Sequence, residues 1–150
     1  MVSVLSPVAG LRQEVSDVPD PVFAAGMVGP GAAIAPHHGK QTVVAPIDGT
    51  LTKLHPHAFV IVSDRGPRVL VHLGIDTVQM DGDGFTTLVA EHDRVQAGDD
   101  IVVWDPEYVE ETGRSAMCAI VVLDCPFPAR ALSDTGTEVN CAEPLFAIDC

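Results

Sequence analysis

Apolar residues along this chain come in short runs, and clusters of turn-forming residues interrupt them at nearly even intervals. The clusters are Gly29-Pro30-Gly31, Pro46-Ile47-Asp48-Gly49, Asp64-Arg65-Gly66-Pro67, Asp81-Gly82-Asp83-Gly84 and Ala97-Gly98-Asp99-Asp100. Turn signals every ~8–12 residues mark a sandwich or barrel of short strands. The intervening runs predict strands over residues 32–35, 42–45, 50–54, 58–63, 68–73, 86–90, 101–104, 119–123 and 145–148. Several runs stay apolar at successive positions, so both faces of those strands are expected to be covered. A short helix is expected after Trp104, with Asp105 as N-cap, Pro106 at its first position, Glu107 favouring the positive end and Gly113 stopping it. Residues 17–23 predict a further helical turn. No linker divides the chain, so one all-β domain over residues 1–150 is expected.

Composition narrows this picture. With 47% apolar residues in 150, the chain has a core to bury and is not disordered. A formal net charge of −13 repels phosphate backbones and anionic lipid, which excludes nucleic acid and membrane surfaces and favours a basic protein partner. No run approaches the ~20 apolar residues of a membrane span. Met1-Val2-Ser3-Val4-Leu5-Ser6-Pro7 lacks the basic start and apolar stretch of a secretory signal, so a cytoplasmic protein is expected. Cys118, Cys125, Cys141 and Cys150 show no C-x-x-C spacing, and the expectation is four buried, reduced thiols. Lys40 and Lys53 do not sit at hairpin tips, which argues against a carrier with a modified lysine.

Two histidines are the candidate chemistry. His72 ends an apolar run in Val71-His72-Leu73-Gly74-Ile75-Asp76-Thr77, and His57 heads Ala58-Phe59-Val60-Ile61-Val62. Strand alternation points Arg68, Leu70 and His72 one way, and sets His57 with Phe59 and Ile61. The turn at residues 64–67 lets the two strands pair as a hairpin, and counting outward from it places His57 nearly opposite His72, ~5 Å away at Cβ. An imidazole with an ordinary pKa of ~6.5 is a nucleophile near neutral pH. It can hold a phosphoryl group as a labile phosphoramidate, provided its other nitrogen is fixed, for which a carbonyl in the Gly74 turn is well placed. A second imidazole can depress the first one's pKa and donate to phosphoryl oxygens. By spacing alone, either histidine could equally be a satisfied polar residue at a strand end. His37, His38 and His92 fall in polar loops, whereas His55 shares a face with His57.

These residues carry a resemblance to a known family. In order along the chain come Ser6-Pro7, Val18-Pro19-Asp20-Pro21-Val22-Phe23, Met27-Val28-Gly29-Pro30-Gly31, Ala45-Pro46-Ile47-Asp48-Gly49-Thr50, His57-Ala58-Phe59, Val71-His72-Leu73-Gly74-Ile75-Asp76-Thr77-Val78, Gly82-Asp83-Gly84-Phe85 and Val95-Gln96-Ala97-Gly98-Asp99. The chain resembles the glucose-type enzyme IIA of the bacterial phosphoenolpyruvate-dependent sugar phosphotransferase system. The resemblance implies an antiparallel β-sandwich of the barrel-sandwich hybrid kind, a duplicated hybrid motif with short helical segments. It implies that His72 takes a phosphoryl group through Nε2 from the histidine phosphocarrier HPr and hands it to a cysteine of an enzyme IIB domain in a IIBC permease. His57 would support the phosphorylated state, Gly74 would orient the ring, Leu70 would belong to the docking surface and Asp76 would face basic partner residues. No cofactor is required, although His57 and His72 would be the ligands of a zinc ion shared with a regulatory partner.

The chain departs from the family in two places. Pro30 stands where members often carry an acid, and His55 stands where they tend to have threonine, in a loop a couple of residues shorter, so His55 is a candidate to join the site. Two further readings are open. A purely regulatory binding module would use the same surface without transfer. A zinc peptidase of lysostaphin type would use His55-Pro56-His57 as H-x-H and His72 to Asp76 as H-x-x-x-D, but in the reverse of that family's order.

Overall fold

The computed structural model describes residues 1–150. Strands β1 (Val2–Leu5) and β2 (Gly10–Gln13) lead into a 3-10 turn, Val15–Asp17, and the one-turn helix α1 (Pro21–Ala24). Next come β3 (Gly31–Pro36), β4 (Gln41–Val44), β5 (Gly49–His55), β6 (Ala58–Val62) and β7 (Arg68–His72). A 3-10 turn over Thr77–Met80 precedes β8 (Phe85–Thr87), β9 (Arg94–Val95) and β10 (Asp100–Trp104). Helix α2 (Pro106–Glu111), then β11 (Cys118–Leu123), β12 (Arg130–Ala131), β13 (Glu138–Val139) and β14 (Pro144–Ile148) complete the chain.

Every strand pairing is antiparallel. One sheet has the order β13-β2-β3-β11-β7-β6-β5-β9, and two smaller ones run β1-β14-β12 and β4-β10-β8. The all-β antiparallel expectation holds, with no closed barrel among the three sheets. Trp104 and Ile101 of β10, Phe146 of β14, and Phe59, Ile61, Val69 and Val71 of β6 and β7 share one apolar interior. A second, smaller cluster lies on the other face of the large sheet, where Val18 and Phe23 cover Ala33, Ala119 and Val121.

The two clusters explain the unbroken apolar run in β11. Cys118, Ile120 and Val122 point into the main interior, while Ala119 and Val121 lie under the α1 segment. His72 pairs with Ala119 across β7 and β11, which sets it on the face that α1 covers. The α1 segment is therefore the local structure that turns a sheet face into a site.

Both helices begin as their caps dictate. The Asp20 carboxylate accepts from the backbone N–H of Val22 and Phe23 at 2.9 and 3.4 Å, and that of Asp105 from Glu107 and Tyr108 at 3.0 and 3.4 Å. The sequence pattern did not anticipate β1, β2, β9, β12 and β13, which are short and mix apolar with polar residues. In β2 the polar residue is itself buried: Arg12 donates to Glu14 at 2.6 Å and to Thr135 at 2.9 Å. The expected strand at 86–90 stops at Thr87.

The cysteine expectation needs correction. Cys118 is buried and Cys141 half-buried, both free, but Cys125 and Cys150 form a disulfide with Cα atoms 5.8 Å apart. No spacing motif marks this pair, because the fold brings together the end of β11 and the end of β14, 25 residues apart.

Candidate functional site

His72 is the last residue of β7, and the chain turns back immediately after it. The turn requires Gly74, whose φ is +75°. It returns the Gly74 carbonyl to the ring, where His72 Nδ1 donates to it at 2.6 Å. A carbonyl only accepts, so the proton sits on Nδ1 and the lone pair on Nε2. The turn is braced by Thr77, whose hydroxyl donates to the Leu73 carbonyl at 2.7 Å, and by the Ile75 N–H donating to Ser115 at 2.9 Å.

His57 reaches His72 by a route that simple alternation does not describe. In β6 and β7 the register pairs Ala58 with His72, and the Leu73 N–H donates to the His57 carbonyl at 2.7 Å. Strict alternation would send His57 inward with Phe59 and Ile61, away from His72. His57 instead lies in the turn between β5 and β6, outside the strand, so its side chain is free of the pleat and swings over His72. The ring centroids are 5.2 Å apart, edge to face at 73°. His55, the last residue of β5, stacks on His57 at 5.9 Å and 27°. Three imidazoles thus stand in a row.

Two residues not singled out in the sequence complete the surroundings. Phe23 of α1 sits edge-on to His72 with centroids 5.4 Å apart. Asp20, the α1 cap, lies near enough for its charge to act on His72, as does Asp76. The visible signal was the helical turn expected over residues 17–23, but only the packing of α1 on the sheet shows where it leads. Leu70 is half-buried against the small cluster beneath α1, and Asp76 is exposed in the left-handed region at φ +60°.

Burial pushes the His72 imidazolium below its ordinary range, and the Gly74 carbonyl, Asp20 and Asp76 oppose that push. His57 falls further, to about 4, first through burial and then through the neighbouring His72 and His55. At neutral pH both rings are therefore uncharged, and the Nε2 lone pair of His72 is available without a separate base.

The site is open. The largest cavity, about 510 Å³, lies at Val2, Ile47, Asp48 and Arg65, and none of the histidines lines it. No group of three or more His, Cys, Asp or Glu side chains is arranged to hold a metal ion. His55, His57, His72 and Asp76 therefore form no peptidase-type zinc centre, since such an enzyme needs three protein ligands. Exposed apolar side chains instead occupy the flanking segments: Val22 on α1, Met27 just beyond it and Val78 after Asp76.

A nucleophilic nitrogen left unprotonated by its own turn, flanked by exposed apolar side chains, suits a group that arrives on one protein and leaves on another. Fold and site together define an all-β domain that presents an unprotonated histidine nitrogen. Residues 2–125 match the family model for the phosphoenolpyruvate-dependent sugar phosphotransferase system, EIIA 1, and the chain belongs to that family. It is a phosphotransferase component of the glucose EIIA type, a phosphoryl carrier of the sugar system.

Known proteins agree. The chain is 39% identical over 123 residues to the PTS system glucose-specific EIIA component of Staphylococcus aureus, covering 81% of this chain and 73% of that one. It is 41% identical over 124 residues to the PTS system mannose-specific EIIBCA component of Corynebacterium glutamicum, but spans only 18% of that longer protein. The solved structure of glucose permease IIA from Mycoplasma capricolum superposes with a TM-score of 0.87 at 32% identity, over 97% of this chain and 94% of that one.

Proposed function

We propose that residues 1–150 act as one glucose-type EIIA domain in which His72 is the phosphoryl acceptor. The observation that carries this reading is the 2.6 Å bond from His72 Nδ1 to the Gly74 carbonyl, which leaves Nε2 as the nucleophile. Nε2 attacks the phosphorus of phospho-HPr in line; the new N–P bond forms as the old one breaks, and the HPr nitrogen keeps the electron pair. A cysteine thiolate of an enzyme IIB domain then attacks the same phosphorus, forming an S–P bond and returning the pair to His72. Positioning and electrostatics do most of the work in such transfers.

His57 supports the loaded state. A dianionic group on Nε2 would lie beside it, replace the repulsion that depresses its pKa with attraction, and accept an N–H from it. His55, stacked behind His57, buttresses that ring. Leu70 underlies the docking face, and Asp76 meets basic residues of HPr or IIB. The name EIIBCA of the Corynebacterium glutamicum relative joins an A unit to B and C units in one protein, which favours a IIB partner. No helix is long and apolar enough to cross a membrane, and the carrier reading puts the domain in the cytoplasm. Regulatory targets would bind the same face when His72 is free. A zinc ion shared with such a target would take His57 and His72 as two of its four ligands. The chain supplies no third, so that metal belongs to a complex.

With phosphoenolpyruvate, enzyme I and HPr, the protein is expected to take up one acid-labile, alkali-stable phosphoryl group, and His72→Ala to take up none. Labelling that persists in His72→Ala overturns the assignment. His57→Gln is expected to load but to pass the group poorly to IIB; onward rates equal to wild type would remove His57 from the mechanism.

A further inference from the structure

The four cysteines divide into two kinds. Cys118 is fully buried in the main interior, and burial pushes its thiol up to about 12. Cys141 is half-buried with its Sγ 3.5 Å from the Pro7 carbonyl, and burial raises it too. Thiols held protonated in this way are inert. The bonded pair is different: Cys150 is exposed at the end of the chain, and Cys125 is only partly covered.

The pair also joins the loop after β11 to the end of β14, outside the strand pairing that links β12 to β14. Cys125 lies in the connection from β11 to β12, where residues 124–129 make no backbone hydrogen bond. Cys150 follows β14, the central strand of a different sheet. Beyond the β12–β14 pairing and the packing of Cys125 and Ala129 on the main interior, the ties here are exposed ion pairs, Arg68 with Asp124, and the Met1 amine with Asp149 at 3.7 Å. Such pairs hold weakly. Across from Cys125 runs the segment after α1: Met27 and Gly29 face Asp124 and Cys125 over a groove of about 340 Å³. The bridge therefore fixes one wall of a groove whose other wall continues into α1.

We propose that Cys125 and Cys150 are a thiol–disulfide exchange site, opened by a protein dithiol, whose closure latches the end of β14 to the loop walling the Met27 groove. A thiolate of the dithiol attacks the exposed Cys150 sulfur, forming a mixed disulfide and expelling Cys125 as a thiolate, which takes up a proton. The second thiol of the reductant then attacks its own sulfur in the mixed disulfide. That closes the reductant's disulfide and releases Cys150, which is protonated in turn. Two electrons and two protons pass to the chain, and an oxidised partner reverses the sequence. Exchange depends on access to the attacked sulfur, which Cys150 provides, whereas Cys118 is fully buried.

The test uses the full chain, with dithiothreitol as the probe dithiol and its oxidised cyclic form as the probe oxidant, both under native conditions. Intact mass should rise by two hydrogens on reduction, and alkylation should then mark Cys125 and Cys150 but not Cys118. Reoxidation should restore the peptide pair carrying Cys125 and Cys150. Amide exchange over the paired residues 130–132 and 146–148 beside the bridge should be faster by on the order of tenfold in the reduced chain, since local opening no longer works against a covalent tie. Cys150→Ser and Cys125→Ser should each show the fast exchange in either condition, whereas Cys141→Ser should still switch. Reduction only after unfolding, reoxidation to another pairing or to intermolecular bonds, or exchange that ignores the redox state would each overturn the proposal. None of these readouts involves phosphoryl transfer, so the carrier reading can fail or hold independently.

Discussion

Replacing Gly74 with alanine tests the turn that fixes the His72 tautomer. At φ +75° an L-residue pays the left-handed penalty, roughly 1–2 kcal/mol. The added Cβ would also lie 2.7 Å from Thr77 Cγ2 and 2.9 Å from the Ser115 carbonyl oxygen. Neither neighbour yields freely: the buried Thr77 hydroxyl is bonded to Leu73, and the Ser115 carbonyl to Ile75. Overpacking of this kind costs about 1–3 kcal/mol, so the sum is about 2–5 kcal/mol. For a domain of this size that lowers Tm by on the order of 10 °C. Gly113→Ala is the control, because φ there is +86° but nothing lies within 4 Å of the new Cβ. It should cost only the backbone penalty of about 1–2 kcal/mol. Urea unfolding measures the difference, and ¹⁵N shifts of His72 report whether Nδ1 still carries the proton. Gly74→Ala as stable as Gly113→Ala, with the His72 tautomer unchanged, would refute the account of the turn.

His57 should make the fold sensitive to acid. Its folded pKa of about 4 lies below the ordinary 6.5, so the unfolded chain binds more protons between those values; the stability is present above pH 6.5 and is lost as pH falls towards 4. The stability difference between wild type and His57→Gln, from urea unfolding at pH 7.5 and 5, should change in that direction, and a pH-independent difference would contradict it. Asp20→Asn keeps a capping side chain but removes a charge that favours the His72 imidazolium, so NMR titration should find the His72 pKa lower than in wild type; no change or a rise would mean that Asp20 does not act on the site. Reducing the Cys125–Cys150 bridge, which spans 25 residues, should cost about 3 kcal/mol in urea unfolding by loop entropy. A reduced chain as stable as Cys150→Ser but no less stable than the oxidised one would show that the bridge does not constrain the unfolded state.

How far the site was legible depended on the range of the interactions that build it. The strand carrying His72, the glycine turn after it and the return of a carbonyl to its ring are consequences of neighbouring residues. Strand period, a positive φ and a two-residue reach are local rules, so Val71-His72-Leu73-Gly74 expressed them directly. His57 was found by counting along a hairpin, which is nearly local. The count was right to within one position, yet the rings meet only because His57 has left the strand and escaped the pleat. Asp20 and Phe23 were visible only as members of an expected helical turn, not as a cap and a neighbour of His72.

The sequence by itself therefore determined an all-β chain, one capped short helix and a further helical turn, an acidic exterior and a histidine whose tautomer its own turn sets. The tertiary structure decided what covers that histidine. Packing of α1 across β3 and β11 brings Phe23 and Asp20 to His72, and it explains why β11 is apolar on both faces. Folding also brought Cys125 to Cys150 and set His55 in stack with His57. These contacts join residues far apart in the chain or beyond a strand's end. Their existence depends on how sheets and loops settle together, which no period or spacing encodes.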